Sequence, residues 1–557
     1  MIADISNLMA CDFSVSVRSE NINRLKAEVF DLAIIGGGIT GAGVARDAAS
    51  RGMKVALVEA NDFASGTSSR SSKLIHGGIR YLENLEFGLV HEALTERRLL
   101  FSMAPHLVHP LRFVLPLYEG GRVGMFKMGL GMWLYDALAM FEMPEFHERL
   151  SPEQSIERLP VLQPKGLKGS YVYSDAYMDD DRLVLETLRS AHGLGAVAVS
   201  YVSAEGAVFE NEKIKALKCR DGCTGDLFQI NAKHVVASVG PWTDQVAKTL
   251  VDDWRARMRP TKGIHLTLSR SRLPLKQAVV MAADNDRRIV FGIPRHEMVI
   301  VGTTDTDYSG DPRNVHSTRE DVDYLLQVVN EYFPGARLTK SDIIASYAGV
   351  RPLVGDGSGD ESQVSREHVI LPDPRNITFV MGGKYTTYRH MAEQTVEAVL
   401  SACPVEQVVK FIRNQTKDPL NNRATVETLQ ASRLMVSKWA KEYDFSAQTI
   451  EALVERHALE AEDIIKTYGH KVSGQNPSAL WQLEAHHAID TTMCFHLVDF
   501  YLRRVPLFLA DPEHGFQFLD SIASTFAERL NWSEAEKQTQ VDALYKHKNH
   551  ELAWQQS

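Results

Sequence analysis

Apolar and polar positions follow each other along this chain in three rhythms. The first is a continuous apolar run, Leu32-Ala-Ile-Ile35, bounded by Asp31 and Gly36, which reads as a short strand buried on both faces. The spacing then lengthens. Ile39, Ala42, Val44, Ala45, Ala48 and Ala49 mark a helix over 39–51, and Gly52 stands where a C-terminal cap belongs. Val55-Ala-Leu-Val58 returns as a second buried strand and ends on Glu59. Helical spacing recurs over 88–103 and, behind Asp180-Asp181, over 182–188. Val235 to Val239 reads as a buried strand that ends in a Gly-Pro turn and rejoins the first sheet. From about 260 to 340 the period drops to two, with strand signals at 265–268, 288–293 and 298–301. A last glycine turn precedes a helix over 384–400, and beyond about 405 the pattern is almost wholly helical.

These rhythms predict an α/β protein. A Rossmann-like nucleotide domain occupies 30–110, 176–260 and 341–405. A mostly antiparallel substrate domain (111–175 and 261–340) interrupts it, a helical domain follows over 406–557, and 1–29 forms a tail or docking segment. With 557 residues the chain has room for roughly three to four domain-sized units. A net charge of −10 argues against a general nucleic-acid binder. Five scattered cysteines suit a reducing compartment; Cys219 and Cys223 flank an Asp-Gly turn and lack the partners of a metal site. Acidic residues interrupt the N-terminus, so no signal peptide is expected, and no run is long and apolar enough for a transmembrane helix. Met-rich residues 123–141 come nearest. They read either as a buried helix or as an amphipathic contact whose Arg122 and Lys127 face lipid phosphates.

The chemistry is clearest at the first turn. Gly36, Gly38 and Gly41 have the G-x-G-x-x-G spacing between strand and helix, and Glu59 follows about twenty residues on. Glycines admit a pyrophosphate close to the backbone, the helix N-terminus offers free N–H groups, and the acid is placed for a ribose hydroxyl. The hydroxyl-rich loop 64–73 follows, then Leu74-Ile-His-Gly-Gly-Ile-Arg-Tyr81. Pairs such as His106 and His109, or His486 and His487, lack accompanying carboxylates, so no metal is expected.

Six segments stand in order: 36–43, 67–82, Ala104-Pro-His106, Gly302-Thr-Thr-Asp305, Gly349-Val-Arg-Pro-Leu353 and Gly382-Gly-Lys-Tyr-Thr-Thr-Tyr-Arg389. Together they resemble the FAD-dependent, aerobic glycerol-3-phosphate dehydrogenases, members of the D-amino-acid-oxidase-like flavoproteins. The likeness is dense from 31 to 400 and thinner beyond, where 498–504 resembles that family's helical cap.

The resemblance implies bound FAD, held non-covalently. It implies oxidation of sn-glycerol 3-phosphate to dihydroxyacetone phosphate, with quinone as acceptor. A dimer is expected, in the cytoplasm and peripheral on the inner face of the cytoplasmic membrane. Arg80, Arg351 and Arg366 match the family's pocket arginines, suited to a phosphate dianion by their planar fork, and Tyr81, His265 and Lys384 match its other pocket residues. Ser71, Ser72 and Lys73 are expected along the flavin's pyrophosphate and ribityl chain, with His76 near the isoalloxazine. Gly383 and Lys384 open a helix that aims its dipole at the flavin's pyrimidine edge. His265, titrating near neutrality, is the expected base, with Arg351 the alternative. The rival readings are an oxidase that delivers electrons to oxygen, an enzyme of the same fold acting on a 2-hydroxy acid or an amine, and a flavin-binding scaffold without turnover.

Overall fold

The computed structural model describes residues 13–283, 288–355 and 367–556. A six-stranded sheet forms the nucleotide unit, in the order His368–Asp373, Ile377–Gly382, Val235–Ala237, Leu32–Ile35, Val55–Val58, Val197–Val199. All neighbours in it are parallel except the first pair, which is a hairpin. The Ile39–Ser50 helix lies on one face between the Asp180–Gly193 and Tyr388–Ser401 helices, burying Ala42, Ala45, Leu188 and Val396 together. Parallel strands need helical crossovers and are covered on both sides, hence the unbroken apolar runs.

The other face is covered by a four-stranded sheet in which Val202–Glu210, Lys213–Asp221 and Leu227–Ala232 meander and Val29–Phe30 is the edge. Residues 18–27, within the segment read as a tail or docking segment, form a docked helix. Ile22 and Leu25 are buried in the core between the two sheets, and Arg18 pairs with Asp221 at 2.8 Å.

The unit expected to hold the substrate is built on a ten-stranded, mostly antiparallel sheet. Near one end of it Thr261–Ser269 lies between Met298–Gly302 and Ile343–Arg351. The last of these was expected in the nucleotide unit. It belongs here because it pairs antiparallel with Thr261–Ser269, which sets Ala348 directly beside Ile264 on one face, and both join Leu266 and the Arg319–Tyr332 helix in one apolar core. Leu74–Ile75 likewise joins this sheet.

The Met125–Leu138 helix is neither fully buried nor conventionally amphipathic. Met132 and Tyr135 are buried, whereas Phe126 is 81% and Trp133 62% exposed, with Leu130, Met140 and Phe141 beside them in sequence also exposed. Beyond 405 the chain is helical, as expected, with two apolar cores. It is bolted to the nucleotide unit at Asp62, which accepts from Arg503 at 2.5 Å and from Arg504 at 2.8 and 2.9 Å. No helix among the described residues is long and apolar enough to cross a membrane.

Candidate active site

Ligands of parallel sheets bind at the carboxyl ends of the strands. Here Gly36, Glu59, Ser238 and Gly383 immediately follow four of those strands, and all four line one cavity of about 1340 Å³. Gly36 has φ +106°, and a Cβ there would lie 2.6 Å from the Ser238 carbonyl oxygen. Gly38 caps the helix, so its N-terminus, with Ile39 and Thr40, opens onto the cavity. Gly41 is different. It does not line the cavity; a Cβ there would sit 1.9 Å from the Gly36 carbonyl oxygen, so its role is to let helix close on strand. Glu59 accepts from the Gly37 N–H at 2.7 Å and the Asn61 N–H at 2.9 Å, while burial raises its pKa. Glycine cradle, helix terminus and pinned acid fit a dinucleotide.

The loop behind this cradle contributes Ser71 and Ser72, both on the cavity wall. The Ser71 hydroxyl donates to Asp180 at 2.7 Å, and the Ser72 hydroxyl bonds His265 Nε2 at 2.8 Å. Lys73 departs from expectation. Its ammonium is 1% exposed, pairs with Asp180, lies 3.7 Å from Asp181 and does not line the cavity. A buried ammonium needs compensating charge, and the first turn of the Asp180–Gly193 helix supplies it, so this lysine is not offered to a cofactor's phosphates. His76 lines the cavity with its ring 6.5 Å from that of Phe291, and its backbone N–H donates to Thr386 Oγ1 at 3.2 Å.

The antiparallel sheet supplies the opposite wall. Its two-residue period puts Gly263 and His265 on one face of their strand, with Gly349 and Tyr347 directly across. His265 is 2% exposed and stacks on the Tyr347 ring at 4.7 Å and 13°. Burial, with the nearby Arg351 and Lys73 charges, lowers its pKa to about 3. The expectation of an imidazole titrating near neutrality is therefore corrected: burial and the neighbouring cations favour the neutral ring. Arg351 Nη1 reaches Asp305 at 3.0 Å and its Nη2 donates to Thr303 Oγ1 at 2.9 Å and to the Thr304 carbonyl at 3.1 Å.

Lys384 Nζ sits 3.7 Å from the centre of the Tyr81 ring, a close cation–π contact, and both residues line the cavity. The expected helix does not start at Lys384: Tyr385–Thr387 form a 3-10 turn, and the α-helix spans Tyr388–Ser401. The Arg80 backbone lies in the Ile79–Asn84 turn, next to Tyr81. Arg366 lies outside the described residues. Arg122, which one of the two readings of 123–141 turned toward lipid, is exposed and also borders the cavity.

Ser238, Trp242, Thr303, Asp305 and Arg70 also line the cavity and were not singled out as site residues. For Ser238 a signal existed, since a strand rejoining a parallel sheet ends at the same edge as its neighbours. Away from the cavity, His457, Glu460 and His487 bring ligand-type atoms within 4.8 Å of one another. Arg189 already holds Glu460 at 2.7 Å and Glu484 bonds His457 at 3.0 Å, the pattern of an ion-pair network.

Comparison with known proteins agrees with this arrangement. Residues 31–390 match the family described as FAD dependent oxidoreductase, and 427–537 match the C-terminal domain of alpha-glycerophosphate oxidase. The aerobic glycerol-3-phosphate dehydrogenase of Staphylococcus haemolyticus (strain JCSC1435) is 34% identical over 524 residues, covering 92% of this chain and 93% of that protein. The protein of the same name from Staphylococcus saprophyticus is 34% identical over 537 residues, 95% of this chain and 96% of its own length. The crystal structure of the glycerol-3-phosphate dehydrogenase from Bacillus halodurans, complexed with FAD, superposes with a TM-score of 0.80 at 29% identity, covering 97% of this chain and 98% of that one.

Proposed function

The chain belongs to the FAD-dependent oxidoreductases and, among them, to the aerobic glycerol-3-phosphate dehydrogenase family; from that premise we propose that it oxidises sn-glycerol 3-phosphate to dihydroxyacetone phosphate and passes the electrons to a quinone at a membrane surface. The observation that carries this reading is one continuous cavity lined both by a dinucleotide cradle and by His265, Arg351, Tyr81 and Lys384.

Bound FAD supplies a two-electron acceptor for the hydride on carbon 2. The chain's residues do the rest. Arg351 and Lys384 fix the phosphate dianion, a role the family resemblance also gives to Arg80 and Arg366. Each charge-assisted hydrogen bond is worth roughly 1.5–3 kcal/mol, and anchoring a remote group aligns the reacting carbon. His265 takes the hydroxyl proton. Its bond to Ser72 and its stacking on Tyr347 hold the ring in place. An anionic substrate beside Arg351 offsets that cation's repulsion of an imidazolium, so the ring gains basicity when substrate is present. Gly36, Gly38, Glu59, Ser71, Ser72, His76 and Gly383 shape the cofactor wall.

An exposed apolar surface supports the choice of quinone as acceptor. The apolar side chains on and just after the Met125–Leu138 helix, from Phe126 and Trp133 to Phe141, with Lys127 among them, suit insertion at a lipid interface where a quinone is found. Anaerobic mixing of the yellow holoenzyme with sn-glycerol 3-phosphate is expected to bleach the flavin band, and a quinone analogue to restore it. A band that does not bleach refutes the reaction. Stoichiometric peroxide on adding oxygen, with no response to quinone, favours the oxidase reading, to which the matched C-terminal domain lends some weight.

A further inference from the structure

The loop beside the nucleotide cradle is fastened by the far end of the chain. Arg70, on the cavity wall in the middle of that loop, points Nη1 at the carboxylate of Glu551, 481 residues away and the last residue of the Glu534–Glu551 helix. That carboxylate is 2% exposed. Burial pushes its pKa up, but the Arg70 charge and His547, 3.3 Å away, outweigh it and hold the group at about 2. The same turn grips the opposite wall. Ser346 Oγ donates to the Glu551 carbonyl at 2.6 Å, and the Trp554 indole N–H donates to Ser346 Oγ at 3.0 Å. Trp554 is buried in the core beneath the antiparallel sheet.

Loop and strand are also stitched to each other. Thr67 Oγ1 donates to the Val350 carbonyl at 2.7 Å, and the Tyr347 hydroxyl donates to the Ser71 carbonyl at 2.9 Å. A Cβ on Gly349 would lie 2.8 Å from Arg70 Cβ. The last helical turn therefore holds at once the loop that presents Ser71 and Ser72 and the strand that presents Arg351.

We propose that Glu551 is a positioning residue for the cofactor site, acting through Arg70, and that the C-terminal helical segment is a working part of that site. The inference rests on the reading that this cavity takes FAD. Because the carboxylate is a charged partner buried behind the cavity wall, losing its charge frees Arg70 and loosens residues 67–72 without touching the cofactor's own contacts.

The test uses full-length holoenzyme and the variants E551Q, R70Q and E551Q/R70Q. FAD release, followed by the rise of flavin fluorescence on dilution, is expected to be on the order of tenfold faster in E551Q. The double variant should resemble R70Q alone, because the two residues act as one unit. Amide hydrogen exchange over 67–72 should rise in apo-E551Q, a change that a residue serving only helix stability would not cause. If E551Q does not fold, Ser346→Ala, which removes the contact to the same turn with little change of volume, is expected to speed release about threefold. Release and exchange at wild-type rates in whichever variant folds overturn the inference alone. A wild-type chain that holds no FAD overturns the cofactor reading and the inference with it.

Discussion

His265 makes the fold acid-sensitive in a way that can be calculated. An exposed or unfolded histidine titrates near 6.5, whereas in the folded chain His265 is pushed down to about 3, first by burial and then by the Arg351 and Lys73 charges. Between these values the unfolded chain binds a proton that the folded chain refuses, so stability present above pH 6.5 is lost as the pH falls toward 3. Each pH unit is worth about 1.4 kcal/mol, which makes the loss from pH 6.5 to 5 about 2 kcal/mol and the whole loss about 5 kcal/mol. The perturbation is His265→Asn, which keeps a polar side chain opposite Ser72 and removes the titration. Other buried histidines, including His109 and His234, are also depressed, and they contribute equally to both proteins. Urea unfolding at pH 7.5 and 5.0, at constant ionic strength, should show wild type losing about 2 kcal/mol more than H265N. Equal losses would refute the burial argument and return His265 to an ordinary titrating imidazole.

Three further outcomes follow from the geometry. Replacing Arg351 with Met should lower kcat/KM for the phosphate ester by roughly 10- to 150-fold, from about 1.5–3 kcal/mol of charged hydrogen bonding, and much less for unphosphorylated glycerol; equal losses on both would remove Arg351 from phosphate binding. Gly41→Ala has no room for its Cβ against the Gly36 carbonyl, so FAD content after purification should fall at least about tenfold, and full occupancy would contradict the packing role. Phe126→Ser with Trp133→Ser should weaken flotation with anionic vesicles by about tenfold or more per residue while substrate still bleaches the flavin. Unchanged flotation would point to another surface.

Local order decided what was legible in the amino-acid sequence. The strand, turn, helix and strand over 32–58 were readable because buried parallel strands, an alanine-rich helix face and glycines at a tight turn each depend on near neighbours. The same holds for the helical character beyond 405. Tertiary structure alone decided partners and energies. It gave Lys73 to Asp180, moved strand 343–351 into the antiparallel sheet, left Phe126 and Trp133 uncovered, and closed Arg70 onto Glu551. It also changed His265 from a group near neutrality to one near 3. The physical reason is range. Backbone period and apolar spacing act over a few residues, whereas desolvation and Coulomb interaction depend on which distant segments the fold brings within a few ångströms.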